Sequence, residues 1–135
     1  MTTPKRVLLL GAETGLGAET ARALAEAGHT LALIASTPDP DAAFAVQRLA
    51  RKLNAATSQA IDAENEMAVR VMVRQVAKQL GGIDATVLCV DDSPVRDLLR
   101  QHSTKEMRRH GSVLFIDATA GEGALSALAD HPPTP

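Results

Sequence analysis

Three glycines are the residues of this chain whose type and spacing best suit chemistry: Gly11, Gly15 and Gly17, in the pattern G-x-x-x-G-x-G. They follow the apolar run Val7–Leu10 and precede a helical pattern over Ala18–Ala27. A buried strand that turns tightly into a helix presents free backbone N–H groups and the positive end of the helix dipole at one spot. Such a spot suits a phosphate or pyrophosphate. Gly11 makes the turn, Gly15 lets backbone approach a ligand, and Gly17 lets helix pack close to strand. A tight βα turn without a ligand would use the same residues, but the strand before and the helix after favour the phosphate reading.

Other chemistry is thinly supported. His29, His102, His110 and His131 are scattered, without metal-ligand spacing, and Cys89 has no partner thiol. Cys89 lies within an apolar strand, which predicts a buried, inert thiol. Asp91 and Asp92 end that strand, where open α/β sheets place ligands. They could bind a cation or act as bases, but capping a helix together with Ser93 is the simpler role. The row Arg70, Arg74 and Lys78 reads as a solvated helix face. The chain has no Trp and no Tyr, so a mechanism that needs a phenol is closed to it.

Composition narrows the partners. The 135 residues suffice for one domain and not for two, with 1–4 and 130–135 expected as frayed tails. Hydrophobic content of 45% against 22% charged residues argues for a packed globular fold rather than a disordered chain. A formal net charge of −2 gives no footprint for nucleic acid or an anionic membrane. No apolar stretch approaches the roughly 20 residues that span a bilayer. MTTPKR does not open a signal peptide, and the lone cysteine fits a reducing cytoplasm.

The elements that would position the glycines follow from periodicity. Strands are predicted over Arg6–Leu10, Thr30–Ala35, Gln59–Ile61, Ala85–Val90 and Val113–Ile116. The first helix carries an apolar stripe of Leu16, Thr20, Ala23, Leu24 and Ala27, and Gly28 ends it. A second helix starts at Asp39-Pro40 and runs to about Leu53, with Ala45, Leu49 and Leu53 on one face. The third, over Glu64–Leu80, buries Val69, Met72, Val73, Val76 and Leu80 and closes at Gly81-Gly82. Ser93-Pro94 predicts a short fourth helix, and the capping box Ser103-Thr104-Lys105-Glu106 predicts another. One helical turn is expected around Leu125–Leu128, after a glycine-rich loop at 119–123. Strands alternating with helices mean an α/β fold, a single Rossmann-type doubly wound parallel sheet of about five strands. Strand orders 3-2-1-4-5 and 2-1-3-4-5 are both common, and a glycine turn on the first strand favours 3-2-1-4-5.

These residues resemble the short-chain dehydrogenase/reductase family of NAD(P)-dependent oxidoreductases. Gly11-Ala12-Glu13-Thr14-Gly15-Leu16-Gly17 is similar to that family's T-G-x-x-x-G-[IL]-G, with Leu10 in place of Thr. Ile61-Asp62-Ala63 resembles the end of its third strand, Gly81-Gly82-Ile83-Asp84 its lead-in to the fourth, and residues 107–113 its approach to the fifth. The resemblance implies that Gly15, Leu16 and Gly17 cradle a pyrophosphate, with Gly11 also in the cofactor-binding set, and that Glu13 and Thr14 lie near the adenosine ribose. It also implies that Asp62 and the backbone of Ala63 hold adenine.

The departures are equally specific. The family's ribose-binding acid would close the second strand, where this chain has Ala35. Ser36 and Thr37 could accept a 2′-phosphate, while Glu13 nearby would repel it, so NAD or NADP is left open. The family's N-N-A-G is replaced by Leu88-Cys89-Val90-Asp91. The link to the fifth strand is shorter than the family's, which includes a long helix used for dimer packing. The catalytic Tyr-x-x-x-Lys has no counterpart, and Thr119, near the place of the catalytic serine, has no such pair to activate it. The expected protein is a dinucleotide-binding module without hydride transfer of its own, a pseudoenzyme. The alternatives are an oxidoreductase completed by a partner chain, and a ligand-free interaction protein that self-associates through its fifth-strand edge.

Overall fold

The computed structural model describes residues 4–120 and 126–128. Five parallel strands form one sheet: β1 Arg6–Leu10, β2 Thr30–Ala35, β3 Thr57–Ala60, β4 Ala85–Leu88 and β5 Leu114–Asp117. Their order is β3-β2-β1-β4-β5, the expected one. Helices α1 Gly15–Glu26 and α2 Pro40–Leu53 cover one face, and α3 Glu66–Leu80 and α4 Ser93–Arg108 cover the other. The strands are apolar on both sides because both sides are covered. In β1, Val7 and Leu9 pack towards Leu24, Val46 and Leu49, while Leu8 and Leu10 pack towards Val69, Met72 and Leu99. The chain winds outward from β1 to β3 and returns to β4 on the other side of β1. The carboxyl ends of β1 and β4 therefore flank the crevice where such sheets bind ligands.

Several boundaries differ from expectation, each for a local reason. Helix α1 starts at Gly15 rather than Ala18 because Thr14 caps it. Its buried line is Gly17, Ala21 and Leu24, and Leu16, about a quarter-turn from Gly17, is 39% exposed. Close packing of the Gly17 backbone sets that rotation. In α2 the cap at Asp39 and the proline that follows are as expected, but Val46, Leu49 and Ala50 are buried and Ala45 is exposed. Asn65 caps α3, accepting from the Ala68 N–H, so that helix starts at Glu66; Val69, Met72, Val73 and Val76 are buried as expected, joined by Ala77, while Leu80 is only partly buried. Strand β4 ends at Leu88, two residues early, and the Cys89 N–H still donates to the Leu10 carbonyl. β3 spans Thr57–Ala60, earlier than predicted, and β5 starts at Leu114 rather than Val113.

The larger correction is α4, one helix of 16 residues where two short ones were expected. Its cap is Asp92, whose Oδ1 accepts from the Val95 N–H at 3.1 Å, so Ser93 is the first helical residue. Ser103 does not cap a second helix. Its buried hydroxyl donates to the Leu99 carbonyl at 2.6 Å, one turn back, and the helix continues through it. After β5, Ala118–Ala120 form a 3₁₀ turn, and Ser126–Leu128 are helical with Leu128 buried in the α1–α2 core. The expected tails at 1–3 and 130–135, the glycines of the late loop and Leu125 lie outside the described residues.

Candidate functional site

The turn after β1 is built from backbone contacts too close for side chains. Gly11 has φ +97°, and a Cβ there would lie 2.9 Å from Val90 Cγ1 and 3.1 Å from the Cys89 carbonyl carbon. A Cβ on Gly17 would lie 1.9 Å from the Gly11 carbonyl oxygen. Helix and strand thus touch through bare backbone. Thr14 locks the arrangement: its Oγ1 accepts from the Gly17 N–H at 2.8 Å, and its hydroxyl lies 2.8 Å from the Gly11 oxygen, to which it donates. At Gly15 a Cβ would meet nothing within 4 Å. The N–H groups of Gly15 and Leu16, the first two residues of α1, find no acceptor among the described residues. Two orphan donors at the exposed, positive end of a helix fit an anionic oxygen.

Beside this turn, the carboxyl ends of β2, β3 and β4 enclose a cleft of about 440 Å³. Ser36 and Thr37 line it from β2, Asp62 and Glu64 from β3, and Val90 and Asp91 from β4. Glu13 reaches over from the glycine turn. One carboxylate oxygen accepts from the Ser36 N–H at 3.0 Å and the other from the Ser36 hydroxyl. Asp62 Oδ1 accepts from the Glu64 N–H at 3.1 Å. Of the residues read from the sequence, Gly11, Thr14 and Gly17 build the turn, and Gly15 and Leu16 face outward. Glu13, Ser36, Thr37 and Asp62 gather at the strand ends. Ala63 is not brought to the cleft: it is buried, and its N–H donates to the Ser36 carbonyl at 3.2 Å.

The two aspartates that follow β4 are absorbed by structure. Asp92 caps α4, and the Asp91 side chain, 87% exposed, has an oxygen 3.3 Å from Arg96 Nη2. Arg96 also donates through Nε to Asp117 Oδ2 at 2.8 Å, so one guanidinium ties the ends of β4 and β5 together. Sequence reasoning missed Arg96; an arginine one turn into a helix that two aspartates precede was the available signal. Burial pushes the Asp117 carboxyl up, but hydrogen bonds from Thr119 and Arg96 outweigh it and hold the group below its ordinary range. The Thr119 hydroxyl is committed to Asp117. Cys89 is buried, and desolvation pushes its thiol up to about 11. Among the described residues there is no metal-binding cluster of His, Cys, Asp or Glu, and no helix is long and apolar enough to cross a membrane.

Comparison with known proteins agrees with this architecture. The family model described as short chain dehydrogenase matches residues 5–109. A short-chain type dehydrogenase/reductase from Mycobacterium ulcerans is similar with a TM-score of 0.68 and 20% identity, over 87% of this chain and 52% of its own. NAD⁺-bound xylitol dehydrogenase is similar with a TM-score of 0.71 and 18% identity, over 93% of this chain and 58% of its own. NADPH-dependent 3-quinuclidinone reductase from Rhodotorula rubra gives 0.68 and 17%, over 86% and 52%. The chain spans a little more than half the length of these structures. The search of curated proteins found no match.

Proposed function

The chain belongs to the short-chain dehydrogenase family, and on that premise we propose that it binds a nicotinamide dinucleotide at the glycine turn without transferring hydride by itself. The observation that carries this reading is the pair of N–H groups on Gly15 and Leu16, which find no acceptor among the described residues at the exposed start of α1. They would take pyrophosphate oxygens, with Thr14 fixing the turn behind them and Glu13, Ser36 and Asp62 beside the adenosine. The bound dinucleotide would supply a nicotinamide ring able to accept or give hydride. The chain's own residues bind and orient it, but no phenol is present to move a proton, and the Thr119 hydroxyl is engaged by Asp117.

An oxidoreductase completed by a second polypeptide is the other reading, favoured by the place of β5 at the edge of the described sheet. Among the described residues β5 pairs only with β4. A partner or a second copy adding a strand there would also bring groups to the nicotinamide side of the crevice.

Calorimetric titration with NAD, NADH, NADP and NADPH, alongside thermal melts, tests the proposal. A ligand at about 100 times its Kd adds roughly 2.7 kcal/mol of stability. Heat and a raised melt from at least one dinucleotide, with no turnover by the chain alone, are the expected result. Silence from all four would overturn it and leave an interaction protein on a dinucleotide-binding fold.

A further inference from the structure

We propose that Glu13 makes this chain selective for NAD over NADP, supplying from the glycine turn the ribose-binding acid that is missing at the end of β2; this rests on the dinucleotide reading above. The expected place for the acid holds Ala35, which is fully buried. Glu13 comes from the neighbouring strand's turn and delivers its carboxylate to the next residue, Ser36. Two of its roughly four lone-pair positions accept the Ser36 N–H and hydroxyl, and the rest are free for the vicinal hydroxyls of a ribose. The Ser36 bonds fix the carboxylate in place before any ligand arrives.

The same bonds disarm the strand end as a phosphate site. A 2′-phosphate needs donors and positive charge, and the N–H and hydroxyl of Ser36 are already spent on a carboxylate. Among the described residues no lysine or arginine lines the cleft, while Asp62, Glu64, Asp91 and Asp92 do. Arg96, 3.3 Å from Asp91, is held by Asp117 and Asp91, and Arg22, Arg48 and Lys52 line a separate cavity of about 250 Å³ between α1 and α2. Glu13 also lines that cavity, yet no ion pair joins it to any of them among the described residues. The similar structures include one bound to NAD⁺ and one dependent on NADPH, so the fold leaves the choice to residues such as these.

The test is calorimetry with NAD and NADP, and with 5′-AMP and adenosine 2′,5′-bisphosphate as fragments that isolate the ribose end. The native chain should bind NAD at least about tenfold more tightly than NADP, because a carboxylate facing a phosphate costs more than the 1.4 kcal/mol that tenfold represents. Glu13→Gln should narrow the ratio mainly by weakening NAD, and Glu13→Gln with Ser36→Arg should reverse it. Thermal melts of each variant separate lost binding from lost fold. Equal affinity for NAD and NADP in the native chain overturns the selectivity alone. So does an unchanged ratio in a folded Glu13→Gln variant, or NADP binding that Arg48→Ala weakens. Heat from neither dinucleotide overturns the binding reading itself, and the selectivity with it.

Discussion

Arg6 and Asp84 hold β1 and the start of β4 together by a closed ring of hydrogen bonds. The Arg6 N–H and Nε donate to Asp84 Oδ2 at 2.8 and 2.9 Å, and Nη2 donates to Oδ1 at 2.9 Å. The Asp84 N–H returns to the Arg6 carbonyl at 2.8 Å. Gly82, with φ +128°, leaves room for this, since a Cβ there would lie 2.8 Å from Arg6 Nη1. The Arg6 hydrogen bonds outweigh burial and hold the Asp84 carboxyl below its ordinary range. A carboxyl depressed in the folded state adds stability that is complete above its unfolded pKa and is lost as pH falls through the folded one. Asp84→Asn should cost about 1–2 kcal/mol near neutrality, the partial exposure of the pair keeping the figure modest. It should also remove part of the decline below about pH 4. Thermal melts of both proteins between pH 2 and 7 measure this, and parallel curves would contradict it.

The two neighbouring glycines of the turn should separate binding from folding. Gly15→Asp places its side chain in open space at a helix N-terminus, where an acid is favourable. Its melting temperature should hold or rise while dinucleotide binding disappears. Gly17→Ala drives a methyl into the Gly11 carbonyl and should cost more than about 3 kcal/mol. If Gly15→Asp binds as the native chain does, the turn is not the site.

Cys89 should behave as packing and not as a reagent. Its thiol is desolvated and pushed up to about 11, so thiolate is scarce at pH 8. Alkylation of the folded chain should be far slower than in denaturant, where the thiol regains its ordinary value. Equal rates would show that the strand end opens.

Arg96, together with Thr119, holds the Asp117 carboxyl down at the end of β5. Arg96→Ala removes one of the hydrogen bonds that hold Asp117 down, and the carboxyl should then titrate at higher pH. Carbon-detected NMR titration of Asp117 reads the change directly. An unmoved midpoint would assign the whole effect to Thr119.

The fold was legible because its signals are local. Val7–Leu10 and Thr30–Ala35 are apolar on both faces, and a glycine turn on the first strand chose the strand order. What escaped the sequence was longer in reach or ambiguous in form. Ser103-Thr104-Lys105-Glu106 has the spelling of a helix start, and only the Leu99 carbonyl, which takes the Ser103 hydroxyl, makes it mid-helix. The resemblance puts Glu13 near the ribose, but its bond to Ser36 spans 23 residues, a helix and a strand, which spacing does not encode. The resemblance implies that the Ala63 backbone holds adenine, and the pairing of its N–H with the Ser36 carbonyl is a tertiary contact that no local pattern announces.

The double-sided burial of β1 has a consequence for how the sheet avoids assembling one step out of alignment. In a strand with one wet face, a one-residue slip throws every apolar side chain into water. Here Val7 and Leu9 on one side exchange with Leu8 and Leu10 on the other, and such a slip exchanges one aliphatic side chain for another. Hydrophobicity is nearly indifferent to the error. The discrimination falls to the strand's two ends, where Arg6 must meet Asp84 and Gly11 must pass Cys89 and Val90. A chain altered at both ends should keep an oily, compact core but lose its single alignment, yielding a mixture of offset sheets rather than an unfolded coil.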